Sequence, residues 1–178
     1  EQPRAVKDTL NSVLKDGKFD LTDIGLAEED IRRTSQIYIV ACGSAYHVGM
    51  VAQYVIEDLV KIPVRVELAS EFRYRKPILD PNGLVIIISQ SGETADSLAA
   101  LRETKAQGIR TLGIVNVVGS SIAREADKVF YTLAGPEISV ATTKAYSTQL
   151  MASYILAIQF AKVKNTITEE QYENYIAE

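Results

Sequence analysis

The sequence predicts an α/β fold: a three-layer sandwich around a five-stranded parallel sheet of flavodoxin-like order 2-1-3-4-5, with further helices at both ends of the chain. Apolar runs and helix-length segments alternate along it. The apolar runs are continuous rather than alternating, as in strands covered on both faces. The turns after the first and third runs are short and polar, and each opens a helix. In an order of 2-1-3-4-5 those turns lie side by side at the topological switch, where such sheets bind ligands.

Residues 5–14 place Val6, Leu10, Val13 and Leu14 near one face of a helix, with Gly17 as its stop. Residues 26–33 are short and charged and predict a second small helix. Residues 36–42 are the first strand of the sheet, built on Ile37, Ile39 and Val40. Gly43-Ser44-Ala45 makes a turn, and residues 46–60 continue as a helix that ends before Pro63. Residues 64–68 are the second strand and 70–75 a short helix; Pro77, Pro81, Asn82 and Gly83 mark a loop. The third strand is 84–89, and its helix runs from 94 to 107 against the stop at Gly108. A fourth strand at 111–116, a short helix at 121–126 and a fifth strand at 128–132 follow. A loop with Gly135 and Pro136 leads to a long helix, 143–162, capped by Thr142 or Thr143. Residues 168–176 form the last helix, where Thr168 and Gln171 have capping-box spacing.

The richest stretch chemically is Ser89-Gln90-Ser91-Gly92-Glu93-Thr94. It offers three hydroxyls, an amide and a glycine at the start of a helix, where backbone N–H groups are unpartnered and the dipole is positive. That is an anion site, with phosphate the usual anion. Lysine and arginine are absent from the turn, so the anion would be held by hydrogen bonds, as suits a small phosphorylated metabolite that comes and goes. Serine and threonine also cap helices and fill turns for local reasons. The hydroxyl density and the second turn at Gly43, Ser44 and Ala45 favour the phosphate reading.

Other motifs carry less. Gly43 and Gly49 do not make a dinucleotide fingerprint. Cys42 ends a buried strand, where a small apolar residue is expected. His47, one turn into the next helix, reads as a packing or surface residue. Glu93 is a base near a phosphate turn or a carboxylate that steadies the first turn of its helix. Glu71, Arg73 and Arg75 read as a solvated face, or as contacts to an acidic ligand or a partner chain.

The 178 residues suit one ordinary domain, and 47% hydrophobic content suits a globular protein. A net charge of −4 with no dense basic patch argues against nucleic acid. No apolar run is long enough to span a bilayer, and no secretory signal pattern opens the chain. One cysteine excludes an internal disulfide and fits a reducing, cytoplasmic compartment. With one histidine there is no His/Cys cluster for zinc. The opening residue, Glu1, is expected of a piece of a longer chain.

Taken together, these pieces resemble a sugar isomerase (SIS) domain, most closely the first of two such domains in the glucosamine-6-phosphate synthases, the glutamine–fructose-6-phosphate aminotransferases. The matching runs are Glu1-Gln2-Pro3-Arg4-Ala5, Ala41-Cys42-Gly43-Ser44, Ala69-Ser70-Glu71-Phe72-Arg73-Tyr74-Arg75, Ser89-Gln90-Ser91-Gly92-Glu93-Thr94-Ala95-Asp96 and Val140-Ala141-Thr142-Thr143-Lys144-Ala145. The opening Glu-Gln-Pro and Glu-Phe-Arg-Tyr-Arg are more specific to the synthases than the Ser-Gln-Ser-Gly-Glu-Thr run. The resemblance implies that 1–35 is a linker with helices and that 36–178 binds sugar phosphate. It implies that Ser89, Gln90, Ser91 and Thr94, helped by Gly43, Ser44 and Ala45, hold the phosphate of fructose 6-phosphate or glucosamine 6-phosphate. The Val140 backbone and the Thr142 side chain would touch the sugar. Two positions depart from the family pattern: Ala45 stands where a serine is common and offers only its N–H, and Thr142 stands for a serine with its hydroxyl kept.

The same resemblance implies a glutaminase domain before this segment and a second SIS domain after it. The latter carries the family's isomerase glutamate, Schiff-base lysine and ring-opening histidine, so this segment alone would have no catalytic residue and would be inactive. It implies a homodimer, amino-sugar biosynthesis and no metal or organic cofactor. A phosphosugar-sensing regulatory module and a free-standing phosphosugar isomerase are the alternatives; the latter needs an acid/base pair, for which His47 and Glu93 are the nearby candidates.

Overall fold

A computed structural model describes residues 1–138 and 142–177. In chain order the elements are α1 (Gln2–Asn11), β1 (Leu14–Lys15), β2 (Lys18–Phe19), α2 (Glu28–Arg33), β3 (Ile37–Ala41), α3 (Ser44–Val60), β4 (Val64–Leu68) and α4 (Ala69–Arg75). Then follow β5 (Leu84–Ser89), α5 (Ala95–Ala106), β6 (Arg110–Val115), α6 (Ser121–Glu125), β7 (Lys128–Tyr131), α7 (Lys144–Val163) and α8 (Glu169–Ala177).

The main sheet has the order β4-β3-β5-β6-β7, all parallel, which is the 2-1-3-4-5 arrangement expected. Its strands are buried along their length at the centre, and successive side chains feed two separate cores. Ile37, Ile39, Ile86, Ile88, Leu112 and Ile114 face α3 and α7. Tyr38, Val40, Val85, Ile87 and Val115 face the side that carries Phe72, Leu101 and Ile122 of α4, α5 and α6. Continuous apolar runs are thus the signature of a sheet with two dry faces.

The chain's first thirty residues differ from expectation. The opening helix starts at Gln2, since Pro3 in its first turn forfeits only an N–H that has no partner there. It stops at Asn11, and residues 14–19 form the β1/β2 hairpin rather than the end of a helix. The hairpin buries Val13 and Phe19 in the α3/α7 core, and the Phe19 N–H donates to the Tyr172 hydroxyl at 2.8 Å. Leu21, Ile24, Leu26 and Ile31 join the same core, so this region is packed on the sheet domain.

A second correction concerns the turn after β3. Ser44 and Ala45 are already helical, and Gly43 alone makes the reversal, with φ 58° and ψ −134°. Glycine is the residue that populates such a conformation without steric penalty. At the C-terminal end, the capping box forms as expected: Thr168 N–H donates to Gln171 Oε1 at 2.8 Å and Gln171 N–H to Thr168 Oγ1 at 3.1 Å.

Candidate functional site

β3 and β5 are neighbours, in register from Ile37 opposite Leu84 to Ala41 opposite Ile88. Their C-terminal ends therefore release the two polar turns at adjacent points on one edge of the sheet. α3 leaves toward one face and α5 toward the other. Neither helix has a side-chain hydrogen bond at its N-cap, Gly43 for α3 and Thr94 for α5. Two positive helix ends with open backbone donors thus meet at the switch point.

The turn at 89–94 is preorganised. Ser89, nearly buried, shares a hydrogen bond of 3.0 Å with Thr94 Oγ1 and accepts the Gly92 N–H at 3.1 Å. Ser91 Oγ accepts the Glu93 N–H at 3.2 Å. Gly92 has φ +66° and is clasped from outside: its carbonyl accepts the Ile122 N–H at 3.0 Å, and Ser120 packs on its Cα. The Gln90 carbonyl accepts the Asn116 N–H at 3.1 Å. The turn is fastened to the segment between β6 and α6 while its hydroxyls line the opening of α5.

The other sequence-predicted residues divide. Ser44 is exposed at the start of α3, and the Ala45 methyl is buried in the α3/α7 core, which suits alanine there. Cys42 packs against the opposite core, with Ser97 Oγ 4.0 Å from its Sγ, in keeping with a structural role. His47 is exposed and stacks edge-on against Tyr46. Glu93 does not steady its own helix. Its Oε1 accepts the Ser121 N–H at 2.7 Å and so caps α6. Ser121 and Arg124 hold its carboxyl below the usual carboxylate value.

Thr142 immediately precedes the N-cap of α7, and its Oγ1 is shielded without a hydrogen-bond partner among the described residues. Val140 lies outside the described residues. The expected capping of α7 by Thr142 or Thr143 is replaced by Glu137, whose Oε2 accepts the N–H groups of Thr143 at 3.4 Å and Ala145 at 3.1 Å. A carboxylate is stabilised at a positive helix end. Sequence reading also missed Asn116, which accepts the Ala134 N–H at 2.8 Å and donates to the Gly135 carbonyl at 2.7 Å. It thereby ties the loop leading to Thr142 to the end of β6. Among the described residues, no group of three or more His, Cys, Asp or Glu stands ready for a metal, and no helix is long and apolar enough to cross a membrane.

The model of the SIS domain family matches residues 30–159, which includes the sheet and both turns. The chain belongs to the SIS domain family. This SIS domain is 57% identical over 97% of its length to a glutamine–fructose-6-phosphate aminotransferase (isomerizing) of Clostridium tetani, and 56% identical over its full length to that of Clostridium acetobutylicum. It spans about 29% of the length of these relatives. Among solved structures, it superposes on the C-terminal domain of the glucosamine-fructose-6-phosphate aminotransferase of Francisella tularensis with TM-score 0.95 and 47% identity. That match covers 99% of the SIS domain and 50% of the solved chain.

Proposed function

We propose that this SIS domain is the sugar-phosphate-binding half of the isomerase part of a glutamine–fructose-6-phosphate aminotransferase. That enzyme class converts fructose 6-phosphate and glutamine to glucosamine 6-phosphate and glutamate, at the entry to amino-sugar biosynthesis. The observation that carries the reading is the pair of helix N-termini, of α3 and α5, opening beside one preorganised hydroxyl turn. The phosphate is held by Ser89, Gln90, Ser91 and Thr94, with the N–H groups of Gly43, Ser44 and Ala45 donating from the other side. Val140 and Thr142 meet the sugar. The 57% identity to an enzyme so named supports this ligand class.

In this reading residues 36–178 are the ligand-binding unit and 1–35 a linker docked on it. The ammonia source and the groups for ring opening and proton transfer belong to other domains of a longer chain, a glutaminase domain and a second SIS domain. The engagement of Glu93 at α6 and the exposure of His47 disfavour a free-standing isomerase. No metal or organic cofactor takes part, and the compartment is the cytoplasm, in keeping with the single Cys42 thiol. Calorimetric titration tests the ligand class. Fructose 6-phosphate should bind and fructose should not; equal affinity for the two would refute the reading. The chain alone should not turn over fructose 6-phosphate with free ammonia, and measurable turnover would place an acid/base pair in it.

The domain further pairs with a copy of itself, or with the second SIS domain, through helices flanking the site. α3 presents Met50 and Tyr54 to solvent, 39% and 75% exposed. Beside them, Leu59, Met151, Tyr154 and Ile176 line an apolar groove of about 420 Å³. Leu156 and Phe160 of α7 are buried against Ile56 of α3 and Ile37 and Ile86 of the sheet, while α1 and α8 border the groove through Leu10 and Tyr175. Sedimentation at micromolar concentration should report a dimer; a monomer mass unchanged over a tenfold rise in concentration would reject it.

A further inference from the structure

We propose that Arg73 is a positioning residue for the phosphate site, acting by neutralising Asp96. The inference rests on the reading of the 89–94 turn as a phosphate site. Asp96 is the one acidic residue in the first turn of α5. A carboxylate there is stabilised by the same positive helix end that would hold a phosphate, and an unpaired one both competes with the ligand and repels it. Arg73 reaches across from α4, and its Nη1 donates to Asp96 Oδ1 at 2.7 Å. The guanidinium is braced over the Tyr74 ring, 4.8 Å from its centroid. Both charged side chains are only about one-third exposed, 33% and 37%, so screening by water is incomplete.

The turn's other carboxylate, Glu93, is likewise engaged away from the opening, on the Ser121 N–H with Arg124 nearby. Glu93 and Asp96 thus each have a partner that belongs to another helix. A partly exposed ion pair contributes little to stability. Its consequence here is electrostatic: it leaves the first turn of α5 with its dipole and no net side-chain charge. Arg73 touches no ligand in this scheme and acts through Asp96.

The test titrates fructose 6-phosphate into the purified protein carrying Arg73→Gln, Asp96→Asn or both, at low salt and at about 0.5 M salt, where the Debye length is a few ångströms. Arg73→Gln should weaken binding roughly five- to tenfold at low salt, consistent with one uncompensated charge near the ligand, and less at high salt. Asp96→Asn should bind at least as tightly as wild type. The double variant should return to within about twofold of wild type, since the charge that Arg73 cancels is gone. A double variant as weak as Arg73→Gln would overturn the inference, because a structural or ligand-contacting arginine is not rescued by removing Asp96. So would an Arg73→Gln protein that binds like wild type. A wild type that binds fructose as well as its phosphate would overturn the reading of the turn itself, and this inference with it.

Discussion

Replacing Gly92 by alanine should destabilise the protein by about 2–5 kcal/mol, adding backbone strain to overpacking. Two observations set this size. The residue has φ +66°, where an L side chain is strained. A Cβ there would also lie 2.5 Å from Ser120 Cβ and closer still to its Oγ. Ser120 is 3% exposed at the N-cap position of α6, so it has little room to withdraw. Relief would have to come from the turn, which is held by the Gly92 N–H on Ser89 and the Ile122 N–H on the Gly92 carbonyl. Displacing it moves Ser89 and Ser91 off the opening of α5, so phosphate affinity should fall by at least tenfold as well. Thermal unfolding checks the first effect, at roughly 2–4 °C per kcal/mol for a chain of this size. A loss below about 1 kcal/mol would mean that the Ser120 contact is far softer than its geometry implies.

Thr94→Val should separate binding from folding. The valine keeps the shape of threonine and removes its hydroxyl. Thr94 makes no capping hydrogen bond to α5, so the helix loses little. Ser89 still accepts the Gly92 N–H when its 3.0 Å contact with Thr94 is gone. On the proposed reading the change removes a donor to the phosphate, worth roughly 1.5–3 kcal/mol when the acceptor is charged, so affinity for fructose 6-phosphate should drop at least tenfold. The melting temperature should move by no more than a few degrees. A variant that melts like wild type and binds the sugar phosphate equally well would show that Thr94 does not touch the ligand. A large fall in melting temperature would assign the residue to the fold instead.

The parallel sheet was legible in the sequence for a local reason. Residues 84–88 and Ile37–Ala41 are unbroken apolar runs, and only strands with two dry faces tolerate that. The 89–94 turn was legible because hydroxyls, glycine and an amide between a strand and a helix are local turn and helix-start chemistry. The capping box at Thr168 and Gln171 is equally local and formed as read. The β1/β2 hairpin was not legible, since its strands are two residues long and carry no period.

The partners of the charged residues were decided by tertiary structure alone. Glu93 stands at the start of one helix and caps another, 28 residues on. Glu137, from a loop, displaces Thr142 and Thr143 as the cap of α7. Arg73 finds Asp96 across 23 residues of chain. Ser120 closes on Gly92 from the N-cap of α6. A carboxylate or guanidinium carries no mark in the sequence of which end of its long side chain's reach will be filled. Burial of the apolar runs is common to every sheet of this class and can be read from hydropathy, whereas each of these contacts depends on how far neighbouring helices are offset along the sheet, which only the packed core sets.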